Sequence, residues 1–243
     1  MAVNYTEVFQ DPSAAEKYAE HTYAPGTFSS IVSARQTGWL RKFLPSAFAI
    51  PPVHHDFACG TGRVARMLAG MVEVSHGYDT SEAMLSKGRE LGTPGHAHLV
   101  GPGGASPRLD PSRPALVTAF RFVLNVDEIL RDQLMEFASA ALPDADAGLL
   151  LIENHGSTSS LRHLRRTFGR VDASMWFQEL SHGEMRALLD RHGFELVGTQ
   201  GFTLLTKGCY RRPWAWASKG VDALLASPMS KWCTDVVYIA RRR

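Results

Sequence analysis

Two carboxylates flanking a pair of glycines are the residues of this sequence best placed to do chemistry. Asp56 opens the run Asp-Phe-Ala-Cys-Gly-Thr-Gly within HHDFACGTGRVARML, and Asp79 follows in HGYDTSEAML. Glycines between a strand and a helix let backbone approach a ligand closely and bare the first N–H groups of the helix. Gly60-Thr61-Gly62, even with Ala65 completing a dinucleotide-type spacing, does not choose between ligands. Asp56 does. A pyrophosphate at the turn would meet a carboxylate at close range and be repelled, whereas an amino acid's ammonium would be attracted. Asp79 lies roughly twenty residues beyond the turn, where such folds place a carboxylate on ribose hydroxyls.

S-adenosylmethionine (SAM) carries an ammonium, a carboxylate and a sulfonium, so Asp56 favours it over a dinucleotide. The competing short-chain dehydrogenase chemistry needs a Tyr-x-x-x-Lys pair, and no tyrosine here has a lysine four positions on. Further candidates must follow the fourth and fifth strands. Asn125 there would orient a substrate or cap a loop. Glu153, Asn154 and His155 follow the fifth strand, and His155 is the preferred general base, with a hydrogen-bonded loop histidine as the plainer reading. His21 sits on the N-terminal segment near Tyr23, where the plainer reading is favoured. His54 and His55 precede the turn and read as structural. His96 and His98 resemble a metal pair without a third ligand, so no metal is expected. Trp176, Phe177, Trp214 and Trp216 would form either an aromatic substrate wall or core.

The elements that must position these residues alternate. Helices are expected over residues 13–21 and 29–44, the second stopped by Pro45. Strands over 53–58, 72–78, 97–100, 115–122 and 148–152 alternate with helices over 63–71, from the Thr80-Ser81 cap to 91, and over 128–142. Helices at 157–168 and 182–192 continue the pattern, and strands at 194–205 and 235–240 close it. The order implies a mainly parallel, doubly wound sheet. One domain is expected: a helical lid at 1–50, a core at 51–206, an insertion at 207–231 and a last strand at 232–243.

The 243 residues are 44% hydrophobic and 21% charged, which permits an ample core without staples. A formal net charge of +2 gives no reason to expect nucleic acid or an anionic membrane as partner. Three widely spaced cysteines form neither a CxxC pair nor a zinc pattern and suit a reducing, cytoplasmic setting. The polar, acid-bearing N-terminus does not read as a signal peptide, and no run is long and apolar enough for a membrane span. Arg241-Arg242-Arg243 reads as a solvated tail.

DFACGTGRVARML, GYDTSEAML and VTAFRFVLNVDEILR followed by LPDADAGLLLIENH resemble the ordered signature blocks of class I SAM-dependent methyltransferases. The likeness is greatest to bacterial small-molecule enzymes, including those of natural-product pathways, and runs from about Tyr18 to the C-terminus. It implies a Rossmann-like α/β fold with a seven-stranded sheet whose last strand is antiparallel, under an N-terminal helical lid. Asp56, Ala58, Gly60 and Gly62 would line the methionine end of SAM. Asp79 would take the ribose, and Thr80 and Met84 would border the adenosine. Phe120 and Arg121 would face the methionyl group and sulfonium, and Tyr18 would close over the cofactor. Two departures stand out: the third-strand loop VGPGGASPRLD offers no acid to adenine, and Pro114-Ala115 replace the aromatic–Asp pair that usually opens the fourth strand.

Three function classes follow. The first is methyl transfer to O, N or C of a small molecule, of secondary-metabolite type. The second is another reaction on the same fold, such as a cyclisation or intramolecular displacement. The third is a non-catalytic module for a partner, hinted at by the aromatic-basic stretch from Tyr210 to Trp216; a homodimer also stays open. A nucleic-acid methyltransferase is disfavoured by the charge and by the lack of a base-flipping signature.

Overall fold

The computed structural model describes residues 10–101, 104–160, 163, 179–205, 207–210, 215–226 and 228–243. The chain begins with α1 (Pro12–Lys17), capped by the Asp11 carboxylate, and a π-helical turn (Tyr18–Thr22). The long α2 (Phe28–Ala47) follows, with the Thr27 hydroxyl accepting from the Ser30 N–H. Pro45 does not stop α2. It removes one donor, opposite the exposed Arg41, and the Phe48 N–H still closes the last turn on the Leu44 carbonyl at 2.9 Å.

The alternating region reads β1 (Val53–Phe57), α3 (Arg63–Met67), β2 (Val74–Asp79), α4 (Glu82–Glu90), β3 (His96–Leu99), β4 (Ala115–Ala119), α5 (Glu128–Ala141), β5 (Gly148–Asn154), α6 (His182–Arg191), β6 (Phe194–Gly201), α7 (Ala215–Leu225) and β7 (Val236–Arg242). The sheet order is β3-β2-β1-β4-β5-β7-β6, parallel except where β7 slots antiparallel between β5 and β6. The expected doubly wound sheet with an antiparallel last strand is therefore present. Period-two alternation along its strands divides the core. Leu116, Leu151 and Val237 pack toward α2 and α3 with Leu40, Val64 and Leu68; Val117, Leu150 and Tyr238 pack toward α5 and α6 with Leu134, Met135 and Met185.

Several boundaries differ from expectation for local reasons. β4 ends three residues early because Phe120 and Arg121 enter a turn, Arg121 at φ 59. α3 is shorter, with Gly70 in the left-handed region at φ 76. Ser81, rather than Thr80, caps α4, its hydroxyl accepting from the Met84 N–H at 3.1 Å. β6 ends at Gly201, and Phe202 to Leu204 continue buried beside the start of β7. The C-terminal arginines are not a solvated tail. Arg241 and Arg242 belong to β7 opposite Glu195 and Phe194, Arg241 pairing with the Glu195 carboxylate at 3.1 Å, and Arg243 pairs with Asp190. The expected helix at 157–168 and the candidates Trp176, Phe177 and Trp214 fall largely outside the described residues; Trp216 stands exposed on α7.

Residues 100–114 cross from β3 to β4 without a helix among the described residues. On the sheet face there, imidazoles and a phenol stack: His55 on His76, His76 on His98, and Tyr78 on His98, the last pair with centroids 4.9 Å apart. The Arg108 N–H donates to the Tyr78 hydroxyl and pins the crossing chain to this stack. The expectation that His54 and His55 are structural holds. His54 is fully buried and bridges the Ser75 and Thr118 hydroxyls at 3.0 and 2.9 Å. Among the described residues no cluster of three or more His, Cys, Asp or Glu can hold a metal, and no helix is long and apolar enough to cross a membrane.

Burial, with neighbouring imidazoles second, holds His54 down to about 3 and His55 and His76 down to about 4. The unfolded chain regains ordinary imidazoles near 6.5, so it binds more protons than the fold below that pH. Their stabilising effect is complete above 6.5 and is lost as pH falls toward 4. Asp56, pushed up to about 7, works the other way as a single carboxylate against three imidazoles. Urea midpoints should fall between pH 7.5 and 5.0, and His76→Asn should flatten that dependence. A midpoint rising on acidification would contradict the assignment.

Candidate active site

The carboxyl ends of β1, β2 and β4 open on a cavity of about 530 Å³ roofed by Tyr18 and floored by the glycine turn. Nine of the residues singled out in the sequence line it: Tyr18, Asp56, Ala58, Gly60, Asp79, Thr80, Met84, Phe120 and Arg121. The wall continues through Val100, Gly101 and Gly104 to Pro107 and along α5 at Leu130, Gln133 and Phe137. No acid of the third-strand loop lines it, as the sequence anticipates.

The glycine turn is built from positive backbone angles. Ala58, Gly60 and Gly62 take φ 54, 56 and 71, so three residues in five adopt the left-handed region between β1 and α3. That bend brings the Gly60 N–H within 2.7 Å of Asp79 Oδ2, joining the turn to the end of β2. The other Asp79 oxygen accepts from the Ser81 N–H at 2.9 Å. Burial raises the Asp79 pKa, and these backbone donors oppose the shift. Gly62 lies outside the cavity lining. A Cβ there would come within 2.2 Å of Thr93 Cγ2, so its glycine serves the packing of α3 against the chain after α4.

Asp56 is the most telling group. A relay of side chains fixes it from behind: Thr118 Oγ1 donates to Asp56 Oδ1 at 2.6 Å and is itself held by His54. With the Thr118 proton spent on Asp56, its oxygen accepts from His54 Nε2–H, which assigns the neutral tautomer consistent with the low His54 pKa. Asp56 Oδ2 is buried and has no hydrogen-bond partner. Burial pushes the carboxyl up to about 7, against the Thr118 bond and the charge of Arg63. A buried carboxylate oxygen left unpaired is costly, and a cationic ligand at the cavity wall removes that cost.

Arg63, which the sequence reading passed over, heads α3 and lines the same cavity. Its guanidinium donates to Gln36 Oε1 at 3.0 Å, stands 3.7 Å from Glu153 Oε2, and lies over the rings of Tyr23 and Phe120 at 5.0 and 5.8 Å. The Gln36 amide also donates to Glu153 Oε1, so α2, α3 and the end of β5 meet in one polar knot. One signal for it was present. A cation at a helix N-terminus opposes the macrodipole and needs another reason to be there.

Asn125 and His155 are both buried and lie outside the cavity lining. Asn125 Nδ2 donates to the Arg121 carbonyl at 2.6 Å and so holds the turn after β4. The His21 side chain lies outside the described ones.

No family model matches the chain, and no curated protein matches it. Solved structures do. A possible histamine N-methyltransferase from Thermotoga maritima aligns over 98% of this chain and 99% of its own, with TM-score 0.65 and 15% identity. Magnesium protoporphyrin IX methyltransferase from Synechocystis PCC 6803, with bound SAH, aligns over 98% and 97%, with TM-score 0.60 and 15% identity. A DhpI–SAH complex aligns over 100% and 98%, with TM-score 0.59 and 14% identity.

Gly62→Ala would force a Cβ into Thr93 at a left-handed backbone angle, a strain of about 1–3 kcal/mol. Its melting temperature should drop by several degrees, and pairing it with Thr93→Ala should recover part of the loss by calorimetry. An unchanged melting temperature would remove the packing role from Gly62. In sheet order, strand direction and end-to-end coverage, this chain has the fold of the SAM-dependent methyltransferases.

Proposed function

We propose that the protein is a SAM-dependent methyltransferase acting on a small molecule. One observation supports it above the rest: Asp56 Oδ2, buried without a partner, at a cavity that Asp79, at the end of the neighbouring strand, also lines. That pair suits an ammonium at one point and a ribose diol at another. The donors around it suit the rest of the cofactor. The Arg63 guanidinium beside Tyr18 is matched to the methionyl carboxylate, Ala58 and Gly60 give backbone room, and Thr80, Met84 and Val100 border the base. Phe120 offers a ring to the sulfonium, whose positive charge is drawn to a π face.

When bound, SAM supplies an activated methyl group. The chain's part is to hold an acceptor atom in line with it about 3–3.5 Å away, which is chiefly a matter of positioning. Asn125 contributes by fixing the Arg121 turn from outside the cavity. The acceptor enters over β4 and β5, under the lid that Gln36 ties to Glu153.

A second reading, a non-methylating reaction on the same fold, draws support from the adenine side. There Val100, Gly101 and Gly104 to Pro107 present backbone, small and apolar groups, with no acid among them. The mass of a product separates the two readings, since methyl transfer adds one methylene unit.

Calorimetry tests the leading reading directly. SAM or SAH should bind with micromolar affinity, and Asp79→Ala should abolish binding, because it removes the ribose acceptor and frees the Gly60 N–H together. Absence of binding to the wild-type protein would end the proposal. Asp56→Asn keeps the shape and removes the charge, and should weaken SAH by roughly ten- to a hundredfold, the range expected for a charged hydrogen bond.

A further inference from the structure

The cavity wall carries a charged donor, Arg121, that no described residue accepts from. Arg121 is in the left-handed region at φ 59, a conformation that strains a non-glycine residue and persists only where the surroundings enforce it. The Asn125 bond to its carbonyl is part of that enforcement. The result is a side chain delivered into the cavity wall. Its guanidinium makes no hydrogen bond or ion pair with any described residue.

Burial works against the Arg121 charge, and the surrounding groups Tyr23, Tyr18, Glu153 and Asp235 outweigh it. Neither carboxylate is spent on Arg121. Glu153 is bonded by Gln36 and stands beside Arg63, and Asp235 accepts the Thr203 hydroxyl at 2.6 Å. The Tyr23 hydroxyl is buried outside the cavity lining, its ring under the Arg63 guanidinium. The Arg121 guanidinium, with five N–H donors, is the unsatisfied donor that faces the cavity.

The cofactor's own charges do not satisfy it. On the reading proposed above, the ammonium goes to Asp56 and the methionyl carboxylate to Arg63, both on the side of β1 and α3. Arg121 belongs to the other half of the sheet, at the end of β4, and its acidic neighbours end β5 and precede β7. What the cofactor would bring toward it is a sulfonium, a second cation. Two cations in a poorly solvated cleft repel strongly unless an anion joins them.

We infer that Arg121 binds a carboxylate of the methyl acceptor, so that the protein's substrates are small carboxylic acids. The inference rests on the methyltransferase reading. A planar guanidinium fork takes a carboxylate through two parallel bonds and sets its orientation as well as its position. The rings of Phe120 and Tyr18 border the space between this anion and the glycine turn, which suits an acceptor with a flat apolar body.

The test is calorimetry on the full chain loaded with SAH, using benzoate as the probe and benzamide as its neutral counterpart. Benzoate should bind the loaded protein and benzamide should not. Arg121→Gln should weaken benzoate at least about tenfold, with Arg121→Lys between wild type and Arg121→Gln. Both variants should hold SAH within about twofold of wild type, which also certifies that they are folded. No benzoate binding to the wild-type complex, or binding by Arg121→Gln equal to wild type, overturns the inference. So does a loss of SAH affinity in Arg121→Gln that spares the decarboxylated analogue 5′-deoxy-5′-(3-aminopropylthio)adenosine, because Arg121 would then serve the cofactor's own carboxylate. Failure of SAH to bind the wild-type protein is a different result: it removes the methyltransferase reading, and the inference with it.

Discussion

The architecture of this site depends on a carboxylate held in the wrong solvent. Asp56 sits at the end of a central strand, buried, with one oxygen satisfied by Thr118 and the other by nothing. Proteins avoid leaving such a group uncompensated, because desolvating a charge without a partner costs several kcal/mol. Here the fold spends further structure on holding it so. His54, kept neutral by burial, orients Thr118, and Thr118 orients Asp56. A buried imidazole and a buried hydroxyl in the core of a parallel sheet make little sense as packing. They make sense as the rear support of a group that must point one way.

The second constraint is geometric. The turn after β1 must reverse the chain within a few residues and still leave backbone N–H groups facing a ligand, which requires left-handed angles at Ala58, Gly60 and Gly62. Asp79 reaches across from β2 to the Gly60 N–H, so the two strand ends are joined through the same carboxylate that is proposed to take a ribose. Binding and folding share this group. The Gly60 amide is a placeholder for part of the ligand's hydrogen bonding and a brace for the turn, and the Ser81 amide plays the same double part on the other oxygen.

Most of this was legible before any coordinates because it rests on local chemistry. The alternation of strands and helices, punctuated by the glycine turn, located the first five strands, and the acid after the second strand followed from spacing alone. What was not legible arises from contacts between distant segments. Gln36 looks like an ordinary polar residue of a helix until Glu153 and Arg63 close around it. Arg241 and Arg242 read as a tail because their strand partners, Glu195 and Phe194, come from the opposite end of a hairpin. Asn125 was visible as a loop residue after β4, but its partner, a carbonyl in a left-handed turn, was not. His155 follows β5, where a base is expected, but it is buried and is not among the residues that line the cavity.

The crossing from β3 to β4 shows how far one departure can spread. A connection of this length in an α/β sheet normally carries a helix that covers the strands beneath it. Residues 100–114 carry none among those described, and Phe137 of α5 and the Arg108 N–H of the crossing chain meet the strand side chains instead. Flat polar rings of His55, His76, His98 and Tyr78 stack where aliphatic side chains would need a helix over them, because an imidazole tolerates partial contact with water at one edge and apolar contact across its face. The same absence leaves α5 residues such as Gln133 and Leu130 free to wall the cavity. The cavity wall after β3 is thus formed by Val100, Gly101 and Gly104 to Pro107 together with α5, and no acid of the third-strand loop is among its described lining.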